Sequence, residues 1–215
     1  MTSGKNLRTA APTLALVALA AQAADPDTGA LLARLARPPP DTTTFVEVRY
    51  SALVAAPLVA SGELEHREDG ALVRRVNSPY RETTVLRGEN VLLEREGNRP
   101  RSFSLDRAPE LRGMLASFGA LLTGDRAMLD RYFSTAVSGS DAGWRIELKP
   151  VDPALRKRLA LVQVDGAQDR ARCFTLTEPD GDQSVMALGV ADRAALPASL
   201  EREALARWCS GEAGR

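Results

Sequence analysis

One histidine and two cysteines in 215 residues leave little from which to build a catalytic or metal site. A nucleophile–histidine–acid triad needs the imidazole within reach of both partners. The only histidine, His66, lies in an alternating segment beside hairpin-edge charges, Glu65, Arg67, Glu68 and Asp69. No Gly-x-Ser-x-Gly turn presents a serine, and no glycine loop of phosphate-cradling pattern occurs. A zinc site needs more ligands than one histidine and a cysteine pair supply. Glu63 and Glu65 share a strand face, but no calcium-loop spacing follows them. An excess of one charge is also missing, with 28 Lys+Arg against 28 Asp+Glu. That balance excludes the basic footprint that nucleic acid or an anionic membrane would require. The local clusters at Arg74, Arg75, Arg81 and Arg87, and at Arg156, Lys157 and Arg158, read as solvated faces.

What the chain does have begins at its N-terminus. Lys5 and Arg8 precede the apolar run Ala10–Ala21, and Ala21-Gln22-Ala23 is a small-x-small cleavage site. This is the three-part layout of a secretory signal peptide. The run is shorter than the roughly 20 residues that span a bilayer, so cleavage rather than anchoring is expected. No cysteine lies near the cleavage site, which excludes lipid attachment there. Residues 24–215 are then expected to be one soluble domain. In an exported protein the isolated pair Cys173 and Cys209 is expected to form a disulfide. A redox pair usually has closer spacing.

The hydrophobic period changes twice. A short helix capped by Asp27 or Thr28 places Leu31, Leu32 and Leu35 on one face and stops at Pro38-Pro39-Pro40. Apolar and polar residues then alternate from Thr44 to Leu105 in short runs separated by Asp69-Gly70, Asn77-Ser78-Pro79, Gly88-Glu89-Asn90 and Gly97-Asn98. Strands joined by such turns make an antiparallel meander. Gly62, inside the second strand, predicts a bend or bulge. From Asp106 the period becomes helical. Leu111, Met114, Leu115, Phe118, Leu121 and Leu122 form one apolar stripe. Thr123-Gly124-Asp125 ends that helix and caps a second one carrying Met128, Leu129, Tyr132 and Phe133. Alternation returns at Trp144–Lys149, Leu161–Val164, Ala171–Thr177 and Gln183–Leu188, with Asp165-Gly166 as a turn. A terminal helix spans Leu200–Trp208. A sheet interrupted by one apolar helical excursion has two readings. Either two ordinary helices pack on the sheet, or a lid covers a space, for which methionine and phenylalanine are suited.

The motifs Phe45-x-Glu47, Gly62-Glu63-Leu64 with Arg67, Val91-Leu92-Leu93-Glu94, Leu121-Leu122-Thr123-Gly124-Asp125 and Trp144–Pro150 occur in an order and spacing that resembles the periplasmic lipoprotein carriers of the LolA family, in a divergent branch. The resemblance covers roughly residues 30–190. It implies an α+β fold, an incomplete, half-open antiparallel β-barrel covered by a helical lid. Acyl chains would bind between the layers, against Leu111, Met114, Leu115, Phe118, Leu121, Leu122, Met128, Leu129 and Phe133. It further implies a monomeric periplasmic carrier without cofactor that takes an acylated lipoprotein or other lipid cargo from an inner-membrane donor complex to an outer-membrane acceptor. Lipid tails cost roughly 0.8 kcal/mol per CH₂ in water, so such a carrier needs a dry cleft and no nucleophile. Arg67 matches the position of the family arginine that bonds to the lid and controls opening. Here Glu68-Asp69-Gly70 follow it where a proline is usual, and beside that acidic hairpin it also reads as a surface ion pair. A second function class stands beside the carrier: a non-catalytic envelope interaction module whose cleft is filled by its own side chains and which binds a membrane protein partner. A membrane-anchored acceptor is disfavoured by the missing lipobox cysteine.

Overall fold

The computed structural model describes residues 27–105, 119–120 and 123–212. The expected signal peptide and the stripe Leu111, Met114, Leu115, Phe118, Leu121 and Leu122 lie outside them. Helix α1, Thr28–Leu35, starts where expected. The Asp27 side chain accepts a hydrogen bond from the Ala30 amide at 3.0 Å, and Leu31, Leu32 and Leu35 are buried.

Six strands follow as a meander: β1 Asp41–Tyr50, β2 Leu58–His66, β3 Leu72–Ser78, β4 Glu82–Arg87, β5 Asn90–Arg95 and β6 Arg101–Ser104. Each pairs antiparallel with the next. The register shifts at Ser61/Gly62, where Asn77 of β3 is the extra, unpaired residue of a bulge. A methyl group on Gly62 would overlap the Arg75 carbonyl, so only glycine permits this close approach of two backbones.

Helix α2, Arg126–Tyr132, is capped by Asp125, whose side chain accepts from the Met128 amide at 3.1 Å. It ends one residue earlier than its apolar spacing indicates, because Phe133 opens a strand. This strand, β7 Phe133–Ser140, was not expected: its serines, glycine, threonine and alanine give too little hydrophobic contrast to show alternation. The second meander continues through β8 Gly143–Pro150, β9 Leu161–Ala167, β10 Arg170–Thr177 and β11 Gln183–Leu188. A one-turn helix, α3 Pro153–Arg156, lies between β8 and β9.

The Asp165-Gly166 turn is corrected: both residues lie inside β9, and the hairpin turns two residues later at Gln168 and Asp169. Asp165 is buried, but Arg145 donates to it at 2.7 Å and Gln163 at 2.7 Å, so its charge is met within the sheet. Gly166 is needed because the Trp144 ring occupies the space a Cβ would take.

The strands form one eleven-stranded antiparallel sheet in the order β6-β5-β4-β3-β2-β1-β11-β10-β9-β8-β7. The two meanders join through β1 and β11, with Phe45 opposite Leu188 and Tyr50 opposite Gln183. The sheet does not close. Its free edges are β6 and β7, the two strands that the 105–126 connection links. An incomplete barrel therefore has its seam where residues 105–126 are inserted in the chain.

The two faces are filled unequally. Directly paired residues share a face, and α1 marks the inner one. There Leu31, Leu32 and Leu35 pack with Leu129, Phe133, Trp144, Ile146, Leu148, Val164 and Phe174. On the outer face, Val46, Val48, Val185 and Ala187 pack against Leu205 and Cys209 of the terminal helix α4, Arg202–Ser210. Cys173 and Cys209 are disulfide-bonded, as expected, with an S–S distance of 2.05 Å. The bond ties α4 to β10. Neither of these two groups includes a residue of β3, β4, β5 or β6, although Val73, Val76 and Val91 of those strands are buried.

Candidate functional site

Strands β3 to β6 form a wall on which Val76 and Val91 are buried and Leu72, Leu86 and Leu93 are half-buried. The register brings Leu72 opposite Leu86, Leu86 opposite Val91 and Val91 opposite Phe103, all on the inner face. Leu93, two residues along from Val91, joins the same row system opposite Thr84 and Arg101. Phe103 stays 38% exposed, an unusual state for a phenylalanine in a strand beside other apolar groups. The alternating pattern of β3 to β5 places these residues together. Sequence reasoning missed them as site residues because it looked for apolar cargo contacts only in the helical excursion. The signal was present in the alternation itself.

Charges cross this wall in a chain. Ser184 donates to Glu47 at 2.5 Å, and Arg74 donates to Glu47. Arg74 also lies 3.8 Å from Glu82, which in turn lies 4.0 Å from Arg95. The Arg74 guanidinium sits 5.0 Å above the Phe45 ring, and that of Arg95 sits 4.2 Å above Tyr80. Each half-buried charge thus has an opposite charge or an aromatic face beside it. Where β3, β4 and β5 end, two hollows open. The larger, about 490 Å³, is lined by Arg75, Arg81, Glu82, Glu94 and Arg95 among others. The smaller, about 150 Å³, is lined by Glu82, Leu93, Arg95, Asn98, Arg99 and Arg101.

Arg67 lies elsewhere. Its Nε is 3.2 Å from Glu65, and Arg75 donates to the same carboxylate at 2.7 Å. The register puts Glu63, Glu65 and Arg75 on the outer face, opposite to Arg74 and to the face that carries α1. Arg67 therefore shares an ion pair on the side of the sheet away from α1 and α2, and Arg74 is the arginine that faces inward. The hydrogen bonds from Arg67 and Arg75 hold the Glu65 carboxyl below the usual glutamate range. A depressed carboxylate stabilises the fold above its unfolded pKa, and that contribution is lost as pH falls through the folded pKa. Glu65→Gln is accordingly expected to be less stable than the parent at neutral pH, with the difference vanishing in acid. Urea unfolding across a pH series checks this, and a difference that persists unchanged at acid pH contradicts it.

Three of the expected lid residues are described. Leu129 is fully buried and Phe133 is 2% exposed, and both pack with α1 and β8 in the filled half of the inner face. They help to fill that half. Met128, on the same helix, is exposed. His66 faces inward at the end of β2, opposite Leu72, and its Nδ1 has no hydrogen-bond partner. Among the described residues, no group of three or more His, Cys, Asp or Glu side chains is arranged to hold a metal ion. No helix among them is long and apolar enough to cross a membrane.

A family model described as outer membrane lipoprotein carrier protein LolA-like matches residues 20–213. No curated protein matches the chain. Among solved structures, the LolA superfamily protein NE2245 from Nitrosomonas europaea is similar at 12% identity, over 79% of this chain and 94% of that one, with a TM-score of 0.43. A chain of the Pseudomonas aeruginosa MucA/MucB complex is 16% identical over 81% of this chain, with a TM-score of 0.40. The match spans 59% of that chain's length. LprF from Mycobacterium bovis is 12% identical over 84% of this chain and 99% of that one, with a TM-score of 0.36. The family match extends over nearly the whole sequence, and the chain belongs to the LolA-like family.

Proposed function

We propose that this LolA-like protein is a periplasmic carrier that holds acyl chains of a lipoprotein or other lipidic cargo against the inner wall of β3 to β6. The observation that carries this reading is the asymmetry of the inner face. One half is filled by α1, Leu129 and Phe133, while on the other Leu72, Leu86 and Leu93 are only partly buried and Phe103 is exposed, around a buried Val91. A wall of this composition beside an open seam suits a chain that must enter and leave. Each CH₂ that it removes from water contributes about 0.8 kcal/mol. Leu111, Met114, Leu115, Phe118, Leu121, Leu122 and Met128 would cover the chain from the excursion between the edges. An inner-membrane donor complex and an outer-membrane acceptor would load and unload it.

Binding of a fluorescent acyl probe tests the proposal. Phe103→Glu places a charge on the wall at an exposed position. It is expected to weaken the probe by at least about tenfold, while changing folding stability by less than about 0.5 kcal/mol. Native mass spectrometry of protein recovered from the periplasm should find lipid bound. Absence of both lipid and probe binding overturns the carrier reading.

The second reading is an envelope interaction module without lipid cargo. The charged side chains around the larger hollow favour it, since Arg75, Arg81, Glu82, Glu94 and Arg95 offer an acyl chain little. On that reading Phe103→Glu leaves probe fluorescence unchanged because no probe binds the parent protein.

A further inference from the structure

The arginines at one end of the wall are not distributed like the rest of the surface charge. On the inner face of the β5–β6 hairpin, Arg95 and Arg101 stand nearest the turn, and Leu93, Val91 and Phe103 lie behind them. Arg99 lies in the turn itself and lines the same small hollow. The hollow thus has three guanidinium groups and one carboxylate. That carboxylate, Glu82, is already engaged by Arg74 and Arg95. Arg95 is held in place by this contact and by the Tyr80 ring. Arg99 and Arg101 are exposed, and neither forms an ion pair among the described residues. At about 150 Å³ the hollow suits a compact polar group and is too small for a chain. From Arg95 to Val91 the wall runs four residues, roughly 13 Å at strand rise, passing from charged to apolar along one face.

We propose that this end of the wall binds the anionic headgroup, a phosphate or carboxylate, of an amphiphile whose chain lies along Leu93 and Phe103. The inference rests on the carrier reading and narrows its cargo to anionic lipids. Guanidinium groups match both anions through paired N–H donors. The preference should therefore be electrostatic and weaken with salt. A neutral lipid would meet the same wall but leave Arg99 and Arg101 to solvent.

The experiment uses the full mature chain and a neutral phenyl-naphthylamine probe, displaced by dodecyl phosphate or by neutral dodecyl glucoside below their micelle-forming concentrations. The expected result is displacement by dodecyl phosphate at a concentration about tenfold lower than by the glucoside. In the double variant R99Q/R101Q the two midpoints should come within about twofold, with the glucoside midpoint unchanged. Equal midpoints in the parent protein, or a preference that survives the double substitution, overturn the headgroup site. Inorganic phosphate is the third ligand. If it displaces the probe as well as dodecyl phosphate does, the hollow is a site for free anions and the amphiphile proposal falls. Failure of the carrier reading looks different, because then the probe does not bind at all.

Discussion

Leu129→Ala is expected to lower the free energy of unfolding by about 2–5 kcal/mol, the usual range for a buried leucine truncated in a packed core. Leu129 is fully buried, and its neighbours are the three leucines of α1, Phe133 and the Trp144–Ile146–Leu148 face of β8. These groups come from separate elements already held in a sheet and a helix, so they can collapse only partly into the space left behind. Phe103→Ala removes more carbon but is expected to cost less than about 1 kcal/mol, because the ring is 38% exposed and lies outside both core clusters. Urea or guanidinium denaturation of both variants measures the contrast. Similar costs at the two sites would mean that Phe103 is packed as tightly as Leu129, and the wall would lose its claim to be a binding surface. The same pair separates folding from function: Phe103→Ala should weaken an acyl probe, whereas Leu129→Ala should affect the probe only through the fraction of protein unfolded.

Removal of the disulfide is expected to have a comparable effect. Cys173 and Cys209 are 36 residues apart in sequence, and cross-linking a loop of that length stabilises by roughly 3–4 kcal/mol through the unfolded state. The double variant Cys173→Ala/Cys209→Ala avoids a stray thiol. Its α4 still has Leu205 and Trp208 packed on the outer face, and Arg172 still donates to the Trp208 carbonyl at 3.3 Å. The fold should therefore survive with a lowered denaturation midpoint, and a reducing agent should shift the parent protein in the same direction while leaving the variant unaffected. An unchanged midpoint in the double variant would show that packing alone holds α4 to the sheet. The disulfide lies on the face opposite the proposed wall, so acyl-probe affinity should be the same with and without it wherever the protein is folded.

Several elements were legible because a local rule governs each. Asp27 and Asp125 cap helices by accepting backbone amides, a matter of three residues. Trp144, Ile146 and Leu148 alternate with Arg145, Glu147 and Lys149, and they are buried on one side of β8. Gly62 marked a bulge because a β-carbon there has no room. Strand β7 was not legible, since Ser134, Thr135, Ala136, Ser138 and Gly139 show no contrast between faces. Asp165-Gly166 was misread as a turn for the opposite reason. The composition fits a turn, and only the partners Arg145, Gln163 and Trp144, which come from outside the dipeptide, make it a strand.

Period, caps, turn residues and the number of cysteines are local properties, and from them the sequence by itself determined an antiparallel sheet, a chain with one histidine and two cysteines, and a membership in the LolA-like family. Tertiary structure alone decided that β1 pairs with β11, and hence that the seam falls between β6 and β7. It also decided that Arg74 faces inward while Arg67 pairs with Glu65 on the other side. The reason is that alternation assigns residues to two faces of a strand without saying which face meets the core. That choice follows from which helices pack on the finished sheet, and pairing of strands more than a hundred residues apart is set by no short-range signal.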